Sequence, residues 1–236
     1  MSRAIVVTPV KDSPDTSERT IQAICNSEED FDYYVFNDFS NNETKQMLQK
    51  SADKFGFHLI NLEDITTAPP PNYRLVLEIS QKKAVENQAP LIIIESDVIV
   101  KSDTIINLLH LNETLDKPGL TGAITTDSEG RYNFPYNFEK IKSSEVKKTR
   151  HSLSFCCTIL SYSFLQATDF RNLPAKKDWY DITISRLSKK LGFNNYLAKN
   201  LEVLHAPHSS RPWKNLKYTN LPLYYIQKIL RKRDRI

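Results

Sequence analysis

The chain has 236 residues, is 40% hydrophobic and 25% charged, and carries a net charge of +4. Those values describe a soluble globular protein of one large domain, or one domain with a tail, long enough for a sizeable core. The charge is too mild to argue for nucleic acid and suits an anionic small substrate or a membrane surface equally well.

The N-terminal MSRAIVVTPV enters a strand almost at once, without an apolar signal segment. Ala4 to Thr8 reads as a buried strand ended by Pro9. Asp15 to Glu18 has capping-box spacing and opens a helix to about Asn26. Tyr33 to Phe36 is a second strand, and Ser40 to Glu43 opens a helix to about Phe55 that Gly56 ends. A strand over Phe57 to Asn61, the turn Ala68-Pro69-Pro70-Pro71 and a helix over Tyr73 to Asn87 follow. Leu91 to Ile94 is a fourth strand, and Ser102 caps a helix to about Leu111.

Beyond this alternating half the pattern loosens. Leu120 to Thr125 and Phe155 to Ser161 read as strands, and Asp127 to Thr149 as a long polar and aromatic loop. Asp181 to Leu191 is an amphipathic helix stopped by Gly192, followed by short strands at Tyr196 to Ala198 and Glu202 to Leu204. The tail LPLYYIQKILRKRDRI is basic, with Leu223, Ile226, Ile229 and Leu230 on one face. It reads either as a contact with anionic lipid headgroups or as a terminal helix packed on the domain. No apolar run reaches the roughly 20 residues that span a bilayer. The expected location is the cytoplasm, with peripheral contact at the inner face of the membrane. Cys25, Cys156 and Cys157 fit neither a disulfide framework nor a zinc spacing and read as small buried residues in a reducing compartment.

The alternation of strand and helix predicts an α/β fold with a mostly parallel sheet, and ligands at the carboxyl ends of its strands. Two polar clusters fall there: Asn37-Asp38 and Glu95-Ser96-Asp97. The second interrupts the apolar run LIIIESDVIV, where an unpaired charge is costly. In an extended chain Glu95 and Asp97 face the same side and can converge on one hard cation carrying substrate phosphates. Solvated strand-end acids are the plain alternative. The chain has only five glycines, none before Gly56, so a P-loop, a dinucleotide fingerprint and a nucleophile elbow are all absent.

The segments VVTPVKDSPDTSERTIQAI, YYVFNDFSNNET, LIIIESDVIV, DWYDITISRL…LGF and VLHAPH follow one another in an order that resembles the family 2 type of inverting glycosyltransferase with a GT-A fold. The resemblance spans Ile5 to about His208. It implies a single GT-A domain over residues 1–215, with a mixed, mostly parallel central sheet flanked by helices, and a basic amphipathic tail over 216–236. By the same resemblance Thr8, Pro9 and Val10 line a nucleotide pocket, and Asn37 and Asp38 meet the base. Glu95 and Ser96 contact the donor, and Asp97 binds a divalent cation, Mn²⁺ or Mg²⁺, that bridges the donor diphosphate as a Lewis acid. His205 fits a metal or diphosphate ligand, as does His208. Arg211 and Lys214 beside Trp213 fit diphosphate clamps. The general base is Asp178 by preference and Asp181 by second choice, against the plain reading that Asp181 caps its helix.

The implied activity is transfer of a hexosyl or related sugar, with inversion, from a nucleotide-diphosphate donor to a hydroxyl of a saccharide or lipid-linked saccharide, as in polysaccharide biosynthesis. A sugar nucleotidyltransferase and a catalytically inactive nucleotide-sugar-binding module are the alternatives. Nucleic acid is not an expected partner, because the basic residues cluster at one end.

Overall fold

Residues 4–139, 142–175, 179–206, 216 and 220–230 are described by a computed structural model, the side chains of 227–230 excepted. In chain order they form β1 (Ile5–Val10), α1 (Pro14–Cys25), β2 (Asp32–Asn37), α2 (Asn42–Phe55), β3 (His58–Asn61), α3 (Tyr73–Glu86), β4 (Leu91–Ile94), β5 (Val98–Ile99) and α4 (Thr104–Thr114). There follow β6 (Pro118–Thr126), β7 (Val146–Lys148), β8 (Cys157–Leu160), α5 (Tyr162–Gln166), α6 (Tyr180–Lys190), β9 (Asn194–His205) and α7 (Leu221–Leu230).

The strands form one sheet in the order β3-β2-β1-β4-β8-β6-β9-β5, with β7 also beside β9. β1 runs parallel to both β2 and β4, and β2 to β3. β8 lies antiparallel between β4 and β6, and β9 runs parallel to β6. Hence β1, β2, β3, β4, β6 and β9 share a direction, and their carboxyl ends share an edge. The mixed, mostly parallel sheet flanked by helices is thus borne out.

Alternation along the strands explains the layers. Val6, Val10, Ile92 and Ile94 meet Ile21 and Ile24 of α1, Leu48 of α2 and Leu108 of α4 in one core. Their neighbours Ile5, Val7, Leu91 and Ile93 meet Val76 and Leu77 of α3, Phe164 of α5 and Ile184 of α6 in a second. Both faces of β1 and β4 are covered, so their sequences are apolar throughout. Each fully buried aliphatic side chain contributes about 1.5–3 kcal/mol.

Local chemistry moves some boundaries. β1 continues through Pro9 to Val10. The Ile5 N–H donates toward β4, to Pro90 O, so Pro9, of the same parity, also faces that side. The β4 ladder stops at Val7–Ile93, and Pro9 has no bond to donate there. The capping box expected at Asp15 does not form. α1 starts at Pro14, after Asp12 and Ser13 with φ of 55° and 68°, and Ser13 makes no side-chain cap. That strained turn is instead tied to the β2–α2 loop: the Asp12 N–H donates to Ser40 Oγ (3.0 Å), and Asp12 Oδ1 accepts from the Asn41 N–H (2.9 Å). Asn41, one residue after the expected Ser40, caps α2 by accepting from the Thr44 N–H, and Gly56 closes it at φ 76°. α4 starts at Thr104, with no side-chain cap from its preceding residue Asp103.

In the second half, the two short strands expected between Tyr196 and Leu204 are one strand, β9, whose pairing with β6 slips between Ala198 and Glu202. The loop expected over Asp127 to Thr149 contributes β7 to the β9 edge. It is pinned by the Lys199–Glu139 and Lys142–Glu202 ion pairs at 3.1 and 2.9 Å. α7 forms in the tail, with the Tyr224 ring against Phe134 and Leu223, Tyr225 and Ile226 exposed. Among the described residues no helix is long and apolar enough to cross a membrane.

Candidate active site

The shared carboxyl edge gathers the polar residues singled out in the sequence. β4 ends at Ile94, and Glu95, Ser96 and Asp97 form a turn closed by the Val98 N–H donating to Glu95 O at 3.1 Å. The two acids thus sit on a turn, and not on the extended chain whose period-two geometry would have set them side by side. The chain leaves this turn as β5, antiparallel to the end of β9, with Val98 opposite His205. The Ala206 N–H donates to Asp97 O at 2.8 Å, so backbone bonds lock the two segments together.

That pairing carries the His205 ring to the acidic turn. His205 is 1% exposed and Asp97 7%. His205 Nε2 stands 3.4 Å from Asp97 Oδ2. Nδ1 lies 2.6 Å from Phe134 O, a carbonyl that can only accept. Nδ1 therefore carries a proton, and Nε2 is the ring atom turned toward Asp97, the atom through which an imidazole held in this way can bind a metal. Asn133 Nδ2 donates to His205 O at 3.0 Å and holds the strand end in place.

Glu95 lies opposite β8, its N–H donating to Cys156 O at 3.0 Å. Ligand atoms of Glu95, Cys156 and His205 lie within 4.8 Å of one another. Oxygen, nitrogen and sulfur donors of these three residues thus converge at one place, a set that fits a divalent cation, and the Asp97 carboxylate stands beside its imidazole member.

Asp181 sits in the first turn of α6, where Oδ1 accepts from the Ile182 N–H at 2.8 Å. Its charge reaches two phenols, Tyr73 and Tyr136. Burial pushes the Tyr73 phenol well above its ordinary range, and the charges of Glu95, Asp181 and then Cys156 add to this. Burial does the same to Tyr136, followed by Cys156, with Asp181 contributing. The Tyr73 ring stacks between Phe155 and Tyr180, and its hydroxyl is buried without a hydrogen-bond partner.

Thr8, Pro9 and Val10 line the same edge; Thr8 Oγ1 accepts from Tyr33 Oη at 2.9 Å. Asn37 is 0% exposed, its Nδ2 donating to Asn61 Oδ1 (2.9 Å) and its Oδ1 accepting from the Ser40 N–H (3.2 Å). Asp38 accepts from both the backbone N–H and the side-chain Nδ2 of Asn72, each at 2.8 Å. These two residues tie the end of β2 to β3 and to the start of α3. These bonds use one of the two amide hydrogens and one of the two carbonyl lone pairs of the buried Asn37 side chain. Asp178, His208, Arg211 and Lys214 lie outside the described residues. Cys156, Tyr73 and Tyr136 were not anticipated as site residues. What brings Cys156 in is the antiparallel β4–β8 pairing, which no local pattern announces.

No protein-family model and no curated protein sequence matches the chain. Solved structures do. The mannosyltransferase PcManGT from Pyrobaculum calidifontis, in complex with GDP-Man and Mn²⁺, aligns with a TM-score of 0.64 and 12% identity over 97% of this chain and 64% of that one. TarS 1-349 of S. aureus aligns at 0.63 and 12% identity, over 96% and 65%. GalNAc-T7 with UDP, GalNAc and Mn²⁺ aligns at 0.59 and 12%, over 92% and 47%. The chain thus spans less than two thirds of the length of each. At this identity the likeness carries the architecture, and the fold is GT-A.

Proposed function

We propose that the chain is a glycosyltransferase that takes its sugar from a nucleotide-diphosphate donor and depends on a divalent metal. The observation that carries this reading is the Asp97–His205 pair at the carboxyl edge of a GT-A sheet, with imidazole Nε2 turned toward the carboxylate. Asp97 and His205 hold the metal, and Glu95 and Ser96 contact the donor. When bound, the metal neutralises charge on the leaving diphosphate. Thr8, Pro9 and Val10 line the nucleotide pocket, with Asn37 and Asp38 at its base end and Arg211 and Lys214 clamping the diphosphate.

A carboxylate takes the proton from the acceptor hydroxyl as its oxygen bonds the anomeric carbon and the bond to the diphosphate breaks on the opposite face, a single displacement that inverts that carbon. Asp178 or Asp181 fills that role, and the Asp181 charge felt at Tyr73 and Tyr136 supports the position of the second. The acceptor is a saccharide or lipid-linked saccharide, and residues 1–215 form the catalytic unit. The apolar side chains exposed on α7 support contact of the tail with an anionic bilayer. Pelleting with phosphatidylserine vesicles, but not with neutral ones, is the expected result.

The donor site is tested by thermal melts with UDP, GDP, dTDP, CDP and CMP, each with Mn²⁺, Mg²⁺, Co²⁺, Zn²⁺ or chelator. A ligand at 100 times its dissociation constant adds about 2.7 kcal/mol. One diphosphate should stabilise the protein only with metal, and Asp97→Ala should abolish the effect. No shift with any pair would reject the donor site. Release of pyrophosphate from a nucleoside triphosphate would identify a nucleotidyltransferase instead.

A further inference from the structure

Cys156 stands apart from the other two cysteines. It is 2% exposed, and its Sγ lies 3.4 Å from Glu95 Oε2 and 3.3 Å from Ser154 Oγ. The backbone bond from Glu95 N–H to Cys156 O fixes the main chain that carries this thiol opposite Glu95. The same Sγ belongs to the set of ligand atoms shared with Glu95 and His205. Cys157, one residue on, alternates away and pairs with Ile94 inside the sheet.

Resting on the metal site proposed above, we infer that Cys156 is itself a metal ligand, and that the centre is a mixed carboxylate–imidazole–thiolate site. As the ion binds, the metal–Sγ bond replaces the Sγ–H bond. The thiol proton passes to solvent, and the thiol–Glu95 hydrogen bond gives way to a shared cation. Zn–S and Zn–N bonds of about 2.3 and 2.0 Å at a tetrahedral angle set the two donors about 3.5 Å apart. Ligand atoms within 4.8 Å of one another close on such an ion by a small adjustment of the side chains.

The chemical consequence is metal choice. Mg²⁺ wants an octahedron of oxygens and gains nothing from sulfur. Thiolate and imidazole together favour Zn²⁺ and Co²⁺, and Mn²⁺ stands at the weak end of the divalent series. The chain should therefore rank Zn²⁺ above Co²⁺, Mn²⁺ and Mg²⁺, with Cys156 responsible for most of the gap.

The test is optical and needs no substrate. Chelator-stripped full-length protein is titrated with Co²⁺ under nitrogen. A sulfur-to-cobalt charge-transfer band in the near ultraviolet should saturate at equimolar metal, vanish in Cys156→Ser and persist in Cys25→Ser. Loss of an outer partner of a metal ligand typically costs about 10–100-fold in affinity. Loss of a direct ligand should therefore weaken Zn²⁺ by more than about tenfold in Cys156→Ser. Visible d–d bands without charge transfer, or a band unchanged in Cys156→Ser, would exclude the thiol and leave the Asp97–His205 site standing. No uptake of Co²⁺ would remove the metal site and this inference together. Should Cys156→Ser not fold, the wild-type spectrum decides alone.

Discussion

Tyr73 is the residue whose surroundings say most about the cost of this site. Its hydroxyl is buried and unpartnered beside the charges of Glu95 and Asp181. A buried hydroxyl without a bond costs about 1–3 kcal/mol. Tyr73→Phe should leave the unliganded protein as stable as before, or stabilise it by about 1 kcal/mol in urea unfolding. Tyr136→Phe should instead destabilise it by about 1–2 kcal/mol, because its oxygen accepts from the Ser154 N–H at 3.0 Å and that donor would be orphaned. Equal losses in the two variants would contradict the distinction.

Helix caps and strand ends decide how these side chains are presented. The loops after β1 and β2 are welded through Asp12, Ser40 and Asn41, and the β2 end is clamped to α3 through Asp38 and Asn72. Asn41→Ala removes the α2 cap and should cost about 1 kcal/mol. Ser13→Ala should cost at most a few tenths, since that side chain caps nothing. At the other end of the sheet the strand positions are tight. A Cβ on Gly119 would stand 2.0 Å from Ser188 Oγ and 2.8 Å from Phe193 Cβ. Gly119→Ala should therefore push α6 off β6 and destabilise by about 1–3 kcal/mol in the same assay.

The sheet as a whole gives the molecule its alkaline limit. Tyr33, Tyr73 and Tyr136 are all pushed upward, burial being the first cause in each case. An acid whose folded pKa exceeds its unfolded value of about 10 contributes full stability below that pH and loses it as pH rises toward the folded value. Tyrosinate absorbance should therefore rise in two phases. Exposed tyrosines ionise first, and Tyr33, Tyr73 and Tyr136 ionise only as near-ultraviolet circular dichroism collapses. A single phase completed before unfolding would show that these phenols are open to solvent.

The runs IVVTPV and LIII, the capping residues near Asn41 and the stop at Gly56 by themselves determined the first half of the fold. Each is decided by neighbours in the chain, through alternation, helix period or a left-handed φ. The acids at the strand ends were legible for the same reason, because strands of common direction put their carboxyl ends on one edge. The junctions between distant segments were not legible. Reversal of β8 sets Cys156 opposite Glu95, and the β5–β9 pairing brings His205 to Asp97 across more than a hundred residues. The turn at Glu95-Ser96-Asp97, the single β9 strand and the lone Tyr73 hydroxyl belong with them. Long-range strand pairing depends on which apolar faces can be covered together, and only the closed sheet decides that.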